Sequence, residues 1–487
     1  MKTKFTLLAF VSLLSIEVVS QSLTWSNEII VANGSTFGYT RPRIAVTSGN
    51  IPVVMWGGGM GTEPIYFARW NGTGFNMPVT VTPNNVDPAV MTWQGPDMAA
   101  NGNNVFVVYK REPEMTSNIY IQKSIDGGVT WSDTTRVDGM NGPYSRFPSL
   151  AVSSLGNPAV MFMTFDMSFG NAEYAVTNSV NGGLTFPIPV NVSTLGSSNV
   201  CDCCPGYIEI NGINQAAAWR RNNSNIRDMW SGVSTNSGLT FPTGFDVDNT
   251  NWMLSNCPSS GPDPYLNNDS LFTVFMSGAS GDNRIYFNSQ NITTQQNGYT
   301  ALLNPTVPSA NIQNYPFIAG NGDTIAVVWQ ESSSGNVNVY CAWSVTGSAD
   351  LFNNIVMVNT SMSGIRQNPH VAYSNGAFHF VFADISNGNA VYRKATITNP
   401  SSVDEQSDKL SLRAYPNPTN GNITLDLSPL KGNSANVKLM DVAGRIVETF
   451  STNGENRTVI QQQSAGVYFV EVTDENKSVY TTRIVFY

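Results

Sequence analysis

Four arginines stand out in a chain that is otherwise poor in charge, since charged residues make up only 12% of its 487 residues. A guanidinium group presents a planar fork of donors that binds a carboxylate or a sulfate through two hydrogen bonds. The arginines of interest are Arg43, Arg146, Arg221 and Arg366. Asp97, Glu331 and Tyr315 lie at the ends of apolar runs, as these arginines do, and they offer the groups used in acid–base and nucleophilic catalysis. Together these residue types suit the binding, or the cleavage, of an anionic ligand.

The overall charge limits the possible partners. The net charge is −9 and the isoelectric point is near 4.8, which argues against nucleic acids and anionic membrane surfaces as partners. An anionic ligand would therefore need a local cluster of arginines. The low charge, the 41 glycines and the 11% aromatic content are typical of a turn-rich, all-β, secreted protein.

The cysteines are a second source of chemistry. Cys201, Cys203 and Cys204 directly precede an apolar run, Cys257 holds the matching position before the next run, and Cys341 lies within a run expected in the core. Thiols of exported proteins usually oxidise, so we favour a disulfide from the triplet to Cys257 that joins two neighbouring repeats. A zinc or copper site and free thiols remain alternatives. We expect no cofactor.

A repeated eight-residue stretch indicates how these residues are positioned. It reads SIDGGVTW in Ser124–Trp131, SVNGGLTF in Ser179–Phe186 and STNSGLTF in Ser234–Phe241, with starts 55 residues apart. A fixed period of this length is typical of repeat architectures. The third residue can accept backbone N–H groups, the glycine can take a positive φ, and the aromatic can pack on a sheet. We therefore predict a tight turn between two strands.

Prolines at a similar spacing lead short apolar runs. They are Pro42, Pro96, Pro148, Pro205, Pro262, Pro316 and Pro369, which are 52 to 57 residues apart. Each is followed by a strand pattern, a Gly- or Asn-rich turn, a second strand and then a third. With a fourth strand after the turn, each repeat would form one four-stranded propeller blade. The last repeat lacks a fourth strand, which Ser22–Ala32 could supply.

The eight-residue turn resembles the Asp-box, or BNR repeat, of the sialidase-like β-propellers. That resemblance implies an all-β propeller over residues 21–398, with seven blades according to the prolines. Six blades remain the alternative, because sialidases have six. In a propeller, the segments before each first strand and after each second strand meet at one mouth of the channel, and the Asp-box turns lie on the opposite face. The candidate arginines and acids would therefore gather at the mouth.

The same resemblance implies roles for these residues. Sialidases bind the substrate carboxylate with three arginines and use a Tyr–Glu nucleophile pair and an aspartic acid as proton donor. Arg43 in RPRIAV resembles the first of these arginines, although Ala45 replaces the family's proline. The remaining roles would fall to Arg146, Arg221 and Arg366 as arginines, Tyr315 as nucleophile, Glu331 as its partner and Asp97 as acid. Solvated loop residues or inter-blade ion pairs are the alternative interpretation.

The two ends of the chain indicate export. Lys2 and Lys4 precede an apolar run at residues 5–16, which predicts a signal peptide over residues 1–20. A polar linker is predicted at residues 399–410. Beyond it, the segments YPNPTNG, DVAGR (Asp441–Arg445) and GVYFVEV (Gly466–Val472) resemble the type A C-terminal sorting domain of type IX secretion cargo. Residues 411–487 should form this domain, a small β-sandwich that contacts the secretion machinery.

The sequence thus predicts a secreted or surface-displayed, monomeric β-propeller with a sorting domain. Two classes of function remain open. One is the binding of an extracellular glycan or glycoprotein at the channel mouth, and the other is an exo-sialidase-like glycoside hydrolase activity.

Overall fold

A computed structural model of the protein describes residues 21–34, 41–58, 64–83, 85–91, 93–139, 144–168, 170–196, 199–296, 298–348, 351–398, 412–428, 430, 434–442, 444–453, 457–476 and 478–487. The predicted signal peptide and linker lie outside the described residues. The chain divides into two compact units, Leu23–Ile397 and a second unit that includes Thr398–Tyr487. Among the described residues, no helix is both long and apolar enough to cross a membrane.

The first unit is built from strands in chain order. The N-terminal pair is β1 (Ser22–Trp25) and β2 (Ile29–Ala32). The first sheet contains β3 (Arg43–Thr47), β4 (Ile51–Gly57), β5 (Ile65–Arg69) and β6 (Val79–Thr80). The second contains β7 (Asp97–Asn101), β8 (Asn104–Lys110), β9 (Ile119–Ser124) and β10 (Thr135–Arg136). The third contains β11 (Tyr144–Val152), β12 (Pro158–Phe165), β13 (Glu173–Asn178) and β14 (Val190–Asn191), followed by a 3-10 helix at Ser193–Gly196.

The remaining sheets of this unit repeat the pattern. The fourth contains β15 (Tyr207–Asn211), β16 (Asn214–Arg220), β17 (Met229–Ser234) and β18 (Thr243–Asp246). The fifth contains β19 (Asp263–Asn267), β20 (Ser270–Ser277), β21 (Arg284–Asn291) and β22 (Thr300–Leu302). The sixth contains β23 (Ile312–Asn321), β24 (Thr324–Ser333), β25 (Asn336–Ser344) and β26 (Ile355–Met357). The seventh contains β27 (Arg366–Ser374), β28 (Ala377–Asp384) and β29 (Asn389–Thr398).

The sheets pack face to face around a ring. The second strand of each sheet is buried along most of its length, as in PAVMFMTF of β12, because neighbouring sheets cover both of its faces. Each first strand lies beside the first strand of the next sheet, and β27 lies beside β3, so the ring is closed. Within the described residues seven antiparallel sheets take part. This arrangement confirms the all-β propeller class.

The N-terminal strands complete the seventh sheet, as predicted. Both β1 and β2 pair with β29, and in β2 Ile29 lies opposite Tyr392 and Ile30 lies opposite Val391. The chain therefore joins its first and last strands in one sheet, which removes an exposed edge.

The three repeated turns share one hydrogen-bonding pattern. In the first, the Ser124 hydroxyl donates to Asp126 Oδ1 (2.7 Å), and the Thr130 N–H donates to the same oxygen (2.9 Å). Asn181 and Asn236 accept the corresponding bonds in the other two turns. Gly127 N donates to the carbonyl of Asn103, in the turn between β7 and β8. This bond places the repeated turn on the face where first strands end.

Three first strands begin earlier than the sequence pattern predicts. The prolines Pro148, Pro316 and Pro369 lie inside β11, β23 and β27 rather than at their starts. At each proline the pairing register shifts, which marks a β-bulge. The bulge accommodates a residue that cannot donate a backbone hydrogen bond.

The second unit contains two sheets that share one apolar core. Its strands are β30 (Arg413–Tyr415), β31 (Ile423–Asp426), β32 (Ser434–Asp441), β33 (Ile446–Asn453), β34 (Arg457–Ile460), β35 (Gly466–Asp474) and β36 (Val479–Phe486). The sheet orders are β30–β31–β34 and β33–β32–β35–β36. Buried side chains from both sheets, such as Leu425 and Val470, form a single cluster. The predicted small β-sandwich is therefore present.

Candidate functional site in the central channel

A buried arginine cluster closes the central channel where the first strands begin. Arg43, only 2% exposed, donates from Nε to Asp97 Oδ1 (3.0 Å) and from Nη2 to the Tyr207 hydroxyl (3.3 Å). Its guanidinium carbon lies 4.7 Å from the centre of the Phe317 ring. Arg41 donates to the same Tyr207 hydroxyl (3.4 Å). These side chains come from different sheets, so the cluster joins sheets across the channel. We call Arg41, Arg43, Asp97, Tyr207 and Phe317 the channel plug.

Side chains at corresponding positions also tie neighbouring first strands together. Asp97 Oδ2 accepts a hydrogen bond from the backbone N–H of Leu150 (2.9 Å). Asp263 Oδ2 accepts one from Ile318 (2.8 Å) in the same way. Asp97 is therefore bonded to Arg43 of the first sheet and to Leu150 of the third, so it holds neighbouring sheets together.

A cavity of about 380 Å³ occupies the channel below the plug. Its wall includes residues from all seven first strands and reaches Asn50 and Ser374, which lie at or next to the ends of those strands. It therefore extends toward the face that carries the repeated turns. Six alanines of the first strands contribute to its wall, and these are Ala45, Ala99, Ala100, Ala151, Ala319 and Ala372.

Besides Asp97, two further carboxyl groups stand in this cavity wall, those of Glu209 and Asp263. Burial raises the pKa of Glu209 to about 8, and the neighbouring Asp263 adds to that rise. Burial also raises the pKa of Asp263 to about 7, with a further upward contribution from Asp97. Two close carboxylates in a region of low dielectric resist carrying two negative charges at once. The cavity therefore retains a proton near neutral pH and can both donate and accept hydrogen bonds.

His370 lines the same cavity as a neutral group. Its Nδ1 accepts a hydrogen bond from the Ile44 backbone N–H (3.3 Å), which joins the seventh sheet to the first. Burial, followed by the nearby charges of Arg43 and Arg41, lowers its pKa well below the usual range. This histidine therefore contributes polarity without charge.

The other candidate arginines bind acids of the protein itself. Arg146 Nε lies 2.9 Å from Glu114, and its guanidinium carbon is 4.2 Å from the centre of the Phe147 ring. Arg221 Nη2 lies 3.2 Å from Asp228 Oδ2. Arg366 Nε is 3.6 Å from Asp384 Oδ2, with both side chains 10% exposed. These contacts are inter-strand and loop ion pairs.

Of the remaining predicted residues, Tyr315 lies beside the plug and Glu331 does not. Tyr315 contributes to the plug region, since its ring centre lies 4.9 Å from the Arg41 guanidinium carbon, and burial raises its pKa. Glu331 is bonded elsewhere, where its two oxygens accept from Asn311 Nδ2 (2.7 Å) and Gln313 Nε2 (2.8 Å). Of the predicted set, Arg43, Asp97 and Tyr315 therefore lie in or beside the plug.

Glu209 is a functional candidate that sequence reasoning missed. It interrupts the apolar run YIEIN of β15, where most corresponding positions in other first strands are alanine. A glutamate within an apolar run that is predicted to be buried could have identified this position from the sequence.

The four clustered cysteines lie between the fourth and fifth sheets. A disulfide joins Cys203 to Cys257, while Cys201 and Cys204 are buried free thiols. Cys201 and Cys204 have the C-x-x-C spacing, which sequence analysis also overlooked. Cys341 is a buried free thiol in β25, as expected.

The strand pairing and the central cavity define a β-propeller, and the C-terminal unit resembles a known family. Residues 413–486 match a family described as the secretion system C-terminal sorting domain. The match confirms the resemblance seen in YPNPTNG and GVYFVEV. It indicates type IX secretion to the cell surface or the extracellular space, and hence interaction with that machinery. No curated protein sequence matches the chain.

Similar solved structures share little sequence with this chain. A protein of unknown function from Dyadobacter fermentans has 11% identity and a TM-score of 0.47, with 77% of this chain and 99% of that chain covered. An ulvan lyase of polysaccharide lyase family PL25 has 11% identity and a TM-score of 0.49, with 79% and 98% covered. The sialidase of Trypanosoma rangeli has 9% identity and a TM-score of 0.41, with 95% and 88% covered. The fold assignment rests on the strand pairing described above.

Proposed function

We propose that this protein is an exported binding propeller that takes a neutral sugar unit of an extracellular glycan into its central channel. The cavity of about 380 Å³ below the plug carries this proposal. Its volume is within the range of about 300–1,000 Å³ that is usual for small-molecule sites.

The cavity wall favours a neutral polyol over an acidic sugar. Glu209 and Asp263 can accept hydrogen bonds from sugar hydroxyls, and Tyr373 belongs to the same wall. A ligand carboxylate would find no arginine or lysine among the described residues of this wall, so it would lack a cationic partner there. Arg43, which contacts Asp97 and Tyr207 of this wall, is already bonded to Asp97.

Binding is favoured over sialidase-like hydrolysis for a related reason. A sialidase site needs guanidinium groups that are able to hold the substrate carboxylate. In this chain Arg43, Arg221 and Arg366 each hold an acid of the protein, so a substrate would have to displace Asp97, Asp228 or Asp384. The exo-sialidase-like alternative therefore ranks second.

The test is a screen of the purified full chain on an array of neutral and sialylated glycans, with a fluorogenic sialoside assay in parallel. Ala372→Leu enlarges a residue of the cavity wall without altering a charge. We expect this change to weaken binding of a neutral glycan by at least about tenfold, or about 1.4 kcal/mol. Glu209→Gln should also weaken it, because an amide replaces the carboxyl group and changes the donors and acceptors that this wall offers.

Arg146→Ala serves as the matched control, because Arg146 pairs with Glu114 outside the cavity wall. If Arg146→Ala abolished binding while Ala372→Leu kept wild-type affinity, the ligand would bind at the arginine-bearing face and the channel proposal would be wrong. Turnover of the sialoside by the wild-type chain would favour the enzyme instead.

A further inference from the structure

The four clustered cysteines differ in exposure and in bonding. Cys201 and Cys204 are completely buried, whereas Cys257 is exposed and bonded to Cys203. The chain thus places a buried dithiol directly beside a disulfide that solvent can reach. Neither the proposed glycan site nor the sorting domain uses this arrangement.

The sulfur atoms are close enough for exchange. Cys201 Sγ lies 3.0 Å from Cys204 Sγ and 3.5 Å from Cys203 Sγ. The first distance places the two free thiols in hydrogen-bond contact. The second places the Cys201 sulfur at the disulfide sulfur that a nucleophile would attack. Cys201 is therefore central to the cluster and contacts both possible partners.

The surroundings of Cys201 favour a thiolate over a metal ion. Arg227 Nη1 donates to Cys201 Sγ at 3.3 Å. The hydrogen bond from Cys204, followed by the charges of Arg220 and Arg227, lowers the pKa of Cys201 to about 7. The pKa of Cys204 is raised well above its usual value by burial, so Cys204 remains a thiol that can donate. Two nearby guanidinium groups stabilise an anionic sulfur but repel a metal cation.

We propose that Cys201, Cys203, Cys204 and Cys257 form a thiol–disulfide exchange site whose external partners are accessible thiols and disulfides. In the first step the Cys201 thiolate attacks Cys203 Sγ, the Cys203–Cys257 bond breaks, and its electron pair leaves on the Cys257 sulfur. In the second step the Cys204 thiol gives up its proton to the Cys257 thiolate and attacks Cys201 Sγ. The Cys201–Cys203 bond then breaks and Cys203 leaves as the thiolate.

The exchange conserves electrons within the chain. One disulfide is lost and one is formed, while one thiol and one thiolate remain, so no external oxidant takes part. Its outcome is that oxidation moves from the exposed pair to the buried pair Cys201–Cys204. The released Cys257 is then available to a small thiol's disulfide or to a disulfide on another exported protein.

The test uses N-ethylmaleimide on the native full-length protein without reductant, followed by acid quenching and peptide mapping with fragmentation of the peptide holding Cys201 and Cys204. We expect labelled Cys257 to appear together with a Cys201–Cys204 disulfide. Cys201→Ser removes the attacking sulfur and should slow labelling of Cys257 by at least about tenfold. Cys341→Ser removes a buried thiol in another sheet and should leave the labelling rate at the wild-type value.

Several outcomes would overturn the proposal. They are a wild-type protein in which Cys257 stays unlabelled for hours, equal labelling in Cys201→Ser, and stoichiometric zinc or copper retained through purification. If Cys201→Ser does not fold, the wild-type map still decides, because labelled Cys257 without a Cys201–Cys204 bond would contradict the second step.

Discussion

Glu209 is a buried carboxyl group in the wall of the channel cavity. All seven first strands contribute to the channel wall, and the carboxyl group of Glu209 belongs to β15. Its raised pKa means that the folded protein holds the proton more tightly than the unfolded chain does. Keeping this group neutral in the folded state costs stability at any pH where the unfolded chain would ionise it.

A pH dependence of stability follows from this shift. The usual glutamate pKa is 4.5 and the folded value is about 8, so the stability associated with Glu209 is fully present below pH 4.5 and is lost as the pH rises toward 8. Glu209→Gln should therefore flatten the decline in unfolding free energy between pH 5 and pH 9 by about 4 kcal/mol. Urea titrations at pH 5, 7 and 9 would measure it.

Asp269→Asn provides the control for this experiment, because Asp269 is an exposed carboxylate in the turn before β20. Its pH profile should follow the wild type. A Glu209→Gln profile parallel to the wild-type profile would contradict the assignment of a protonated Glu209.

The residue scale also shows where sequence reasoning reached its limit. Arg43 and Asp97 stand out in the sequence because charge is scarce in this chain. Their partners could not be read from spacing, since Arg43 meets Asp97 from the next sheet and Tyr207 from across the channel. A guanidinium that binds a ligand and one that holds a plug look alike in a sequence.

At the scale of the element, the bulged first strands carry backbone strain. Phe147, Tyr315 and Asn368 have φ values of 52°, 53° and 54°, and each precedes a proline. Bulky residues rarely adopt this region, and a following proline restricts them further. The three bulges lie at corresponding positions of the third, sixth and seventh sheets, and the one in the sixth sheet contains Tyr315, whose ring contacts Arg41. Alternation predicts regular strands, so it could not predict this.

The closing strand β2 offers a matched pair of substitutions. Val31 is 6% exposed and packs in the core between the first and seventh sheets, whereas Ile30 is 58% exposed. Val31→Asp would bury a charge and remove apolar contact, so it should lower the unfolding free energy by about 3 kcal/mol or more. Ile30→Asp should change it by no more than about 0.5 kcal/mol. Thermal melts of both variants would measure the difference.

Equal melting temperatures for the two variants would show that β2 does not hold the ring closed. A loss in Ile30→Asp alone would place the opposite face of the strand against the core. The prediction therefore tests the closure of the ring at its seam.

At the scale of the whole molecule, the propeller fold could be predicted because its sequence patterns repeat along the chain. The propeller could be inferred because seven repeats place a proline and apolar strand patterns at similar spacing, and three of them add the same turn motif. The sorting domain was predictable because its motifs occur in order within one short segment. The channel cavity was not, because it depends on how side chains from all seven first strands fill a shared space.

The export of the molecule gives the final prediction. The C-terminal unit has its own apolar core, built from residues such as Ile423 and Leu439, and the propeller's core clusters lie within Leu23–Ile397. A chain that stops after Ile397 should therefore fold its propeller but lack the sorting domain matched at residues 413–486.

In a host with type IX secretion, this truncated chain should accumulate in the periplasm while the full chain reaches the surface or the medium. Immunoblots of the separated fractions would measure this, with the melting curve of the purified truncated chain as the control for folding. Wild-type amounts of the folded truncated chain outside the cell would contradict the role of the tail.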